Sequence, residues 1–148
     1  MYTNILVATD GSKLSAKAVK TACALAKATG AKLTGFYAMP QFPAPIYAEG
    51  AAYGNMAGRA RYEATVKSHA DTVLQDVTKA AAKAGVASDV VAQTSEQPYE
   101  AIIKAAKRNR CDLIVMASHG RRGLAGLILG SETQKVLTHT DTPVLVVR

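Results

Sequence analysis

The stretch LIVMASHGRRGLAGLILGSETQKV, residues 113–136, decides the fold. It opens with an apolar run, 113–117, that is typical of a buried parallel strand, and it then turns at residues 118–120. A glycine-rich segment and a helical pattern follow, and Ser131 with Gln134 matches a capping box at the helix start. Because the first N–H groups of a helix lack partners within it, a strand, a glycine turn and a helix N-terminus together favour an anion. The stretch therefore predicts a loop that holds nucleotide phosphates.

Length and composition predict one cytoplasmic domain spanning residues 1–148. With 49% hydrophobic residues, the chain can bury a core without disulfides or metals. No apolar run approaches the roughly 20 residues of a membrane helix, and the N-terminus lacks the basic and long apolar regions of a signal peptide. Cys23 and Cys111 are not at metal or redox spacing, so we expect reduced, buried thiols and no membrane partner.

The basic charge favours a soluble helical surface over a nucleic-acid interface. The formal net charge is +7, but the 18 Lys and Arg residues are spread over all the predicted helices. A nucleic-acid reader more often shows a basic stripe with interleaved aromatics, and this chain has no Trp. We therefore expect no nucleic-acid partner, although a basic surface would still attract an anionic ligand.

Short apolar runs alternate with helical patterns along the whole chain. This alternation predicts parallel pairing, right-handed crossovers and an open, doubly wound, Rossmann-like α/β sheet of order 3-2-1-4-5 with helices on both faces. Ser12 is the predicted N-cap of the first helix, Gly30 and Gly85 end two helices, and Gly35 weakens the second strand. The predicted strands are 3–9, 31–38, 86–93, 113–117 and 144–147, and the predicted helices are 13–29, 59–84, one starting at Gln97-Pro98, and 132–140.

The segment 39–57 is predicted to be a long loop. It holds three of the five prolines and two glycines, which no helix or central strand tolerates. Long loops in compact domains are often functional, so this one is either a flap over a ligand pocket or a loose insertion.

Two strands end in loops with chemistry suited to a ligand. The first strand ends in Ala8-Thr9-Asp10 and the fourth in residues 116–120, and in the predicted strand order these ends are neighbours at the switch point. Asp10 would face the glycine-rich loop across a crevice. An Asp at this position also serves to cap a following helix, but the fold rule favours ligand contact.

Other catalytic templates are missing from the sequence. It has no Walker lysine motif, no G-x-G-x-x-G after the first strand and no G-x-S-x-G elbow. His69, His119 and His139 show no metal-ligand spacing to one another or to the cysteines. His119 lies in the key loop, where it could contact phosphate, but without a partner base we assign no catalytic residue.

Taken together, four segments resemble the universal stress protein family over essentially the whole chain. They are residues 8–12, 116–123, 129–131 and 143–147. The ATP-binding branch of that family carries the signature G-x2-G-x9-G-[ST]. Gly120 and Gly130-Ser131 fit the second and third glycine positions, whereas Ala117 replaces the first glycine.

The resemblance implies a role for each matching residue. Ala8, Thr9 and Ala38 would line the adenine side, Asp10 would contact the nucleoside, Met116 and Ala117 would flank the base and ribose, and Gly120, Gly130, Ser131 and Glu132 would hold phosphates. Charge alone adds Arg121 and Arg122, for which a solvated basic turn is an equal alternative.

The resemblance also implies a function. The chain would be a small stress-response protein that binds ATP, with Mg²⁺ as a candidate companion, as a regulatory ligand. Hydrolysis would be slow at most, because no general base or arginine finger is identifiable. The family implies a homodimer through the last strand, whose apolar residues 144–147 would need pairing, and a protein partner would read the bound state. The alternatives are a dimeric interaction module that binds no nucleotide and, more weakly, a nucleotide-dependent transferase.

Overall fold

The computed structural model describes residues 1–43, 56–120 and 129–148, in which five parallel strands alternate with four helices. The strands form one sheet of order β3-β2-β1-β4-β5, so the predicted α/β class, parallel pairing and strand order are confirmed. The strands are β1 Asn4–Ala8, β2 Lys32–Met39, β3 Ser88–Thr94, β4 Leu113–Ala117 and β5 Val144–Val147, and the helices are α1 Lys13–Thr29, α2 Met56–Ala84, α3 Pro98–Arg108 and α4 Ser131–His139.

Helices cover both faces of the sheet. Side chains alternate along a strand, so Ile5 and Val7 of β1 pack against α1 and α2, whereas Leu6 packs against α3 and α4. Along β4, Val115 belongs to the first of these layers and Met116 to the second. Strands buried on both faces explain the continuous apolar runs that predicted them.

The predicted helix ends are largely confirmed. The Ser12 hydroxyl accepts a hydrogen bond from the Ser15 N–H at 3.1 Å, and Pro98 is the first residue of α3. Gly30 and Gly85 follow α1 and α2 with φ values of 71° and 73°, a left-handed conformation that glycine adopts without strain.

The predicted capping box at α4 is wrong by one residue. Gly130, with extended backbone, is the N-cap, and Ser131 is already the first helical residue. The backbone N–H of Gln134 donates to the Gly130 carbonyl at 3.0 Å, and its side chain donates to the Leu129 carbonyl at 3.3 Å. The N-cap therefore contributes no side-chain hydrogen bond, and the α4 terminus presents backbone instead.

Both ends of the predicted loop 39–57 belong to regular structure. Met39 is the last residue of β2, where it pairs with Thr94, and α2 begins at Met56. Pairing with a neighbouring strand extends β2 beyond what its own sequence indicates. Residues 44–55 lie outside the described residues, so the choice between a flap and a loose insertion stays open.

Gly35 brings α2 close to the sheet. A Cβ atom added to Gly35 would lie 2.8 Å from Cγ1 of Val77, which is too close for real atoms. The glycine does not shorten β2, which runs for eight residues and is buried at Gly35. The same residue that lowers the intrinsic strand propensity therefore permits the packing of the longest helix on β2.

Asp112, the residue that precedes β4, is hydrogen-bonded to the start of β1. Its carboxylate accepts hydrogen bonds from the Thr3 N–H and the Thr3 hydroxyl, both at 2.7 Å, and from the Asn4 N–H at 3.1 Å. Partial desolvation opposes the ionised form, but these hydrogen bonds outweigh it and lower the pKa of Asp112 below its ordinary value of 3.8.

We predict that Asp112 makes the stability of the fold sensitive to acid. A lowered pKa in the folded state means that ionised Asp112 stabilises the fold above its ordinary pKa of 3.8, and this contribution is lost as pH falls through the lowered pKa. Urea unfolding followed from neutral pH to about pH 2.5 should therefore show a smaller loss of stability in Asp112→Asn than in the wild type. Asp141→Asn, at an exposed position, is the control. Identical pH profiles for wild type and Asp112→Asn would contradict the assignment.

Candidate functional site

A cavity of about 530 Å³ opens at the carboxyl ends of the central strands. This volume lies within the range of small-molecule sites, and the position follows the rule for doubly wound sheets. The predicted binding residues that the structure describes all line it: Ala8, Thr9, Asp10, Ala38, Met116, Ala117, Gly120, Gly130, Ser131 and Glu132. Arg121 and Arg122 lie outside the described residues. The fold thus brings together predicted residues that are up to 124 positions apart in the chain, from Ala8 to Glu132.

Six further lining residues were not assigned to the site from the sequence: Ser15, Phe36, Pro98, Ile102, His119 and Thr133. Ser15 and Thr133 are polar residues on the buried sides of helices, and that mismatch is a signal that could have found them. Phe36 and Ile102 look like ordinary core residues, so no local pattern distinguishes them.

One wall of the cavity is apolar. Phe36 is fully buried, and Met116 and Ile102 are nearly so, with exposed fractions of 6% and 5%. All three belong to the core layer that faces α3 and α4. An apolar wall of this kind can hold the flat face of a nucleobase, whereas the polar lining residues lie on the loops after β1 and β4 and on the first turns of α1 and α4.

Asp10 lies in the loop after β1, lines the cavity and is close to Gly120 in the turn after β4. Its Oδ1 atom accepts a hydrogen bond from the Ser12 N–H at 3.0 Å. A Cβ atom added to Gly120 would lie 2.9 Å from the Oδ2 atom of Asp10. The carboxylate therefore orders the start of α1 and also lines the cavity, so the two interpretations of Asp10 are compatible.

The loop after β1 is held by hydroxyl groups. The Thr9 and Ser15 hydroxyl oxygens lie 3.0 Å apart, and the Ser15 hydroxyl donates to the Ser12 carbonyl at 2.9 Å. The Thr9 hydroxyl also accepts from the Gly11 N–H at 3.2 Å. Two buried side chains thus fix the backbone on which Asp10 stands.

The start of α4 is joined to the turn after β4 by one backbone and one side-chain hydrogen bond. The Gly130 N–H donates to the Ser118 carbonyl at 2.7 Å, and the Thr133 hydroxyl donates to the Ala117 carbonyl at 3.0 Å. A Cβ atom on Gly130 would lie 3.2 Å from the Ser118 carbonyl oxygen. Glycine at this position allows the helix N-terminus and the turn to meet, which leaves the first N–H groups of α4 beside the cavity.

His119 lies on the cavity wall with a defined neighbour. Its Nδ1 atom is 2.9 Å from the Ser118 hydroxyl, which is itself buried. This contact fixes the position of Nδ1, and which of the two atoms donates depends on the tautomer of the imidazole. The arrangement suits contact with a ligand and assigns no base to a reacting group.

Ala117 lines the cavity and packs on the α1 side of the sheet. Ala117 packs in the core layer of α1 and α2, together with Val115, whereas Met116 packs in the layer of α3 and α4. The apolar wall lies in the second layer. Replacing the first glycine of the signature by Ala117 therefore adds bulk on the α1 side of the cavity, where Ser15 also lies, and not on that apolar wall.

Two classes of site are missing from the part of the chain that the structure describes. No group of three or more His, Cys, Asp or Glu side chains there could hold a metal ion. In those same ranges, no helix combines the length and the apolar character needed to cross a membrane.

Comparison with known proteins gives one consistent family. The model of the "Universal stress protein family" matches residues 1–148. A Thermus aquaticus protein named as a universal stress protein is 36% identical over 148 residues, with all of both chains covered.

Two solved structures extend this comparison to the fold. The structure of the Methanocaldococcus jannaschii protein MJ0577 superposes with a TM-score of 0.83 at 24% identity, covering 99% of this chain and 96% of the other. A universal stress protein in complex with cAMP has a TM-score of 0.68 at 28% identity, covering 99% and 97%.

We predict that Asp10 and Gly120 are energetically coupled. Gly120→Ala should destabilise the domain because the new Cβ displaces the carboxylate, and Asp10→Ala should cost about 1 kcal/mol through the lost Ser12 contact. In the double variant the clash is gone, so the combined loss should fall short of the sum by at least about 0.5 kcal/mol. Urea unfolding of the four proteins measures this coupling. Strictly additive losses would show that the two residues do not touch.

Proposed function

The chain belongs to the universal stress protein family, and we propose that its cavity binds an adenine nucleotide, with ATP as the expected ligand, in a regulatory role. The observation that carries this proposal is the convergence of every described residue of the predicted set on one cavity. The complex of a relative with cAMP supports the adenine class of ligand. Hydrolysis would be slow at most, since the described part of the site offers no identified general base.

The cavity has the parts that an adenine nucleotide needs. The apolar wall around Phe36 and Met116 suits the base, and the start of α4 at Gly130 and Ser131 suits phosphate. Asp10, between them, suits a hydroxyl or amine donor of the nucleoside. Because the described residues gather no three-ligand metal site, Mg²⁺ would arrive coordinated mainly by the triphosphate itself.

The alternative is an interaction module that binds no nucleotide, and it depends on the methyl group of Ala117 crowding the ribose or triphosphate. Ala117 packs with the α1 layer, so its methyl group leaves the base wall unchanged. Ala117 also lines the cavity, so its effect on the rest of the ligand is the quantity that Ala117→Gly measures. The transferase hypothesis gains no support from the described residues.

The expected cellular setting is the cytoplasm, and the expected assembly is a homodimer. Cys23 and Cys111 are buried free thiols, which suits a reducing compartment. β5 is the last strand of the sheet, and Leu145 on it is 37% exposed. Pairing β5 with its copy would cover this edge, and a protein partner would read the nucleotide-bound dimer.

The proposal predicts that ATP binds saturably. Freshly purified protein should release an adenine nucleotide on heat denaturation, detectable by mass spectrometry, or bind ATP with micromolar affinity in calorimetry. An empty protein that gives no heat with any adenine nucleotide would refute the proposal.

The variant Ala117→Gly tests whether the methyl group at the first signature position obstructs the ligand. Its ATP affinity should stay within about twofold of the wild type, while its stability falls by about 0.5–1 kcal/mol. A tenfold gain in affinity would show that the methyl group obstructs the ligand.

The dimer is tested by introducing a charge on β5. Light scattering at micromolar concentration should give a mass of two chains for the wild type and one chain for Leu145→Glu, because a buried carboxylate in the paired edge is costly. Val90→Glu is the matched control, since Val90 lies on the opposite edge strand β3 and is 43% exposed. Its mass should equal that of the wild type. A monomeric wild type would contradict the dimer.

A further inference from the structure

Glu132 connects α3 and α4, two of the helices that begin at the cavity. It is the second residue of α4 and lines the cavity, and its Oε2 atom accepts a hydrogen bond from the Tyr99 N–H at 2.9 Å. Its Oε1 atom lies 3.1 Å from Nζ of Lys135. Tyr99 is in the first turn of α3, so a carboxylate on α4 accepts a hydrogen bond from the N-terminus of α3, 33 residues away in sequence.

The carboxylate of Glu132 occupies the place at the N-terminus of α3 that a bound anion could otherwise take. The N-cap of α3 is Gln97, whose side chain makes no capping hydrogen bond, and the next residue, Pro98, lines the cavity. The N-termini of α3 and α4 therefore both meet this space, and each favours negative charge. Glu132 supplies that charge to α3. Of these two helix N-termini, the one at Ser131 of α4 is therefore left for a ligand phosphate.

A phosphate at the start of α4 would have a carboxylate as its neighbour. Ser131 precedes Glu132 directly, so an anion held there lies within about one helical turn, roughly 5–8 Å, of the carboxylate. Two negative charges at such a distance repel, and the repulsion rises with the charge of the ligand. Lys135 offsets part of it, and the half-exposed pair is screened by solvent, with side-chain exposures of 36% for Glu132 and 49% for Lys135.

We propose that Glu132 is a specificity-determining residue that weakens binding progressively as the phosphate charge of the nucleotide increases. The inference depends on the proposed nucleotide site and adds to it a preference among adenine nucleotides. The carboxylate keeps the wall of the cavity in place through Tyr99 and penalises the triphosphate relative to the monophosphate. Neutral adenosine is indifferent to its charge.

The test is calorimetry of Glu132→Gln with adenosine, AMP and ATP, without Mg²⁺ and at low salt. A Gln side chain can still accept the Tyr99 hydrogen bond, so only the charge is removed. We expect ATP to bind about three- to tenfold tighter than in the wild type, AMP less than threefold tighter, and adenosine within twofold. Raising the ionic strength to about 0.5 M should shrink the gain for ATP. Glu100→Gln is the matched control, because Glu100 is in the first turn of α3 but pairs with Lys104 outside the cavity lining.

The outcomes separate this inference from the function on which it depends. An equal change for all three ligands would make Glu132 a purely structural residue and overturn the proposal. In a parallel titration with Mg²⁺, weaker ATP binding by Glu132→Gln, with no gain in affinity when Mg²⁺ is left out, would overturn it too, by making Glu132 a metal ligand. If neither protein binds any of the three ligands, the nucleotide site itself fails. Binding by the wild type with unchanged ATP affinity in the variant removes the charge preference alone.

Discussion

The parallel pairing of β1 with β4 is the constraint on which the rest of the molecule depends. Ala8 pairs with Met116 in this ladder, so the loops that follow the two strands leave the sheet side by side. α1 then packs on one face and α4 on the other, as the two core layers show. A crevice must open where neighbouring connections diverge in this way, and the cavity occupies it.

The cavity is chemically asymmetric in a way that its residues explain. Among the described lining residues, the carboxylate side chains are Asp10 and Glu132, and each is held by a backbone N–H of a neighbouring loop or helix. In the proposed site, the backbone N–H groups at the start of α4 would favour an anion through partial rather than full charges. Among the described residues, this arrangement beside two carboxylates suits the proposed ligand being held mainly by its base and sugar.

Local patterns predicted the elements and the two loops at the switch point, the resemblance to a family supplied the individual binding residues, and contacts between distant residues account for what both missed. Apolar runs, glycines at helix ends and Pro98 each carry their own signal, and the resemblance to a family assigned residues at the switch point. The capping box failed because Gly130 and Ser131 are both plausible N-caps, and only the bond from Gly130 to Ser118 selects between them. The contact of Glu132 with Tyr99 and the approach of Val77 to Gly35 exist only in three dimensions.

The position of β1 in the sheet has a consequence for the order of folding. β1 is synthesised first, yet it is the middle strand, and its partner β4 lies more than 100 residues later. During translation, β1 and β2 can pair early. The other edge of β1, and the N–H groups that donate to Asp112, lack their partners until residue 112 leaves the ribosome. Such non-local closure slows folding and exposes an apolar edge in the nascent chain. The half-made sheet is thus the stage at which this fold exposes most of the apolar surface of its central strand.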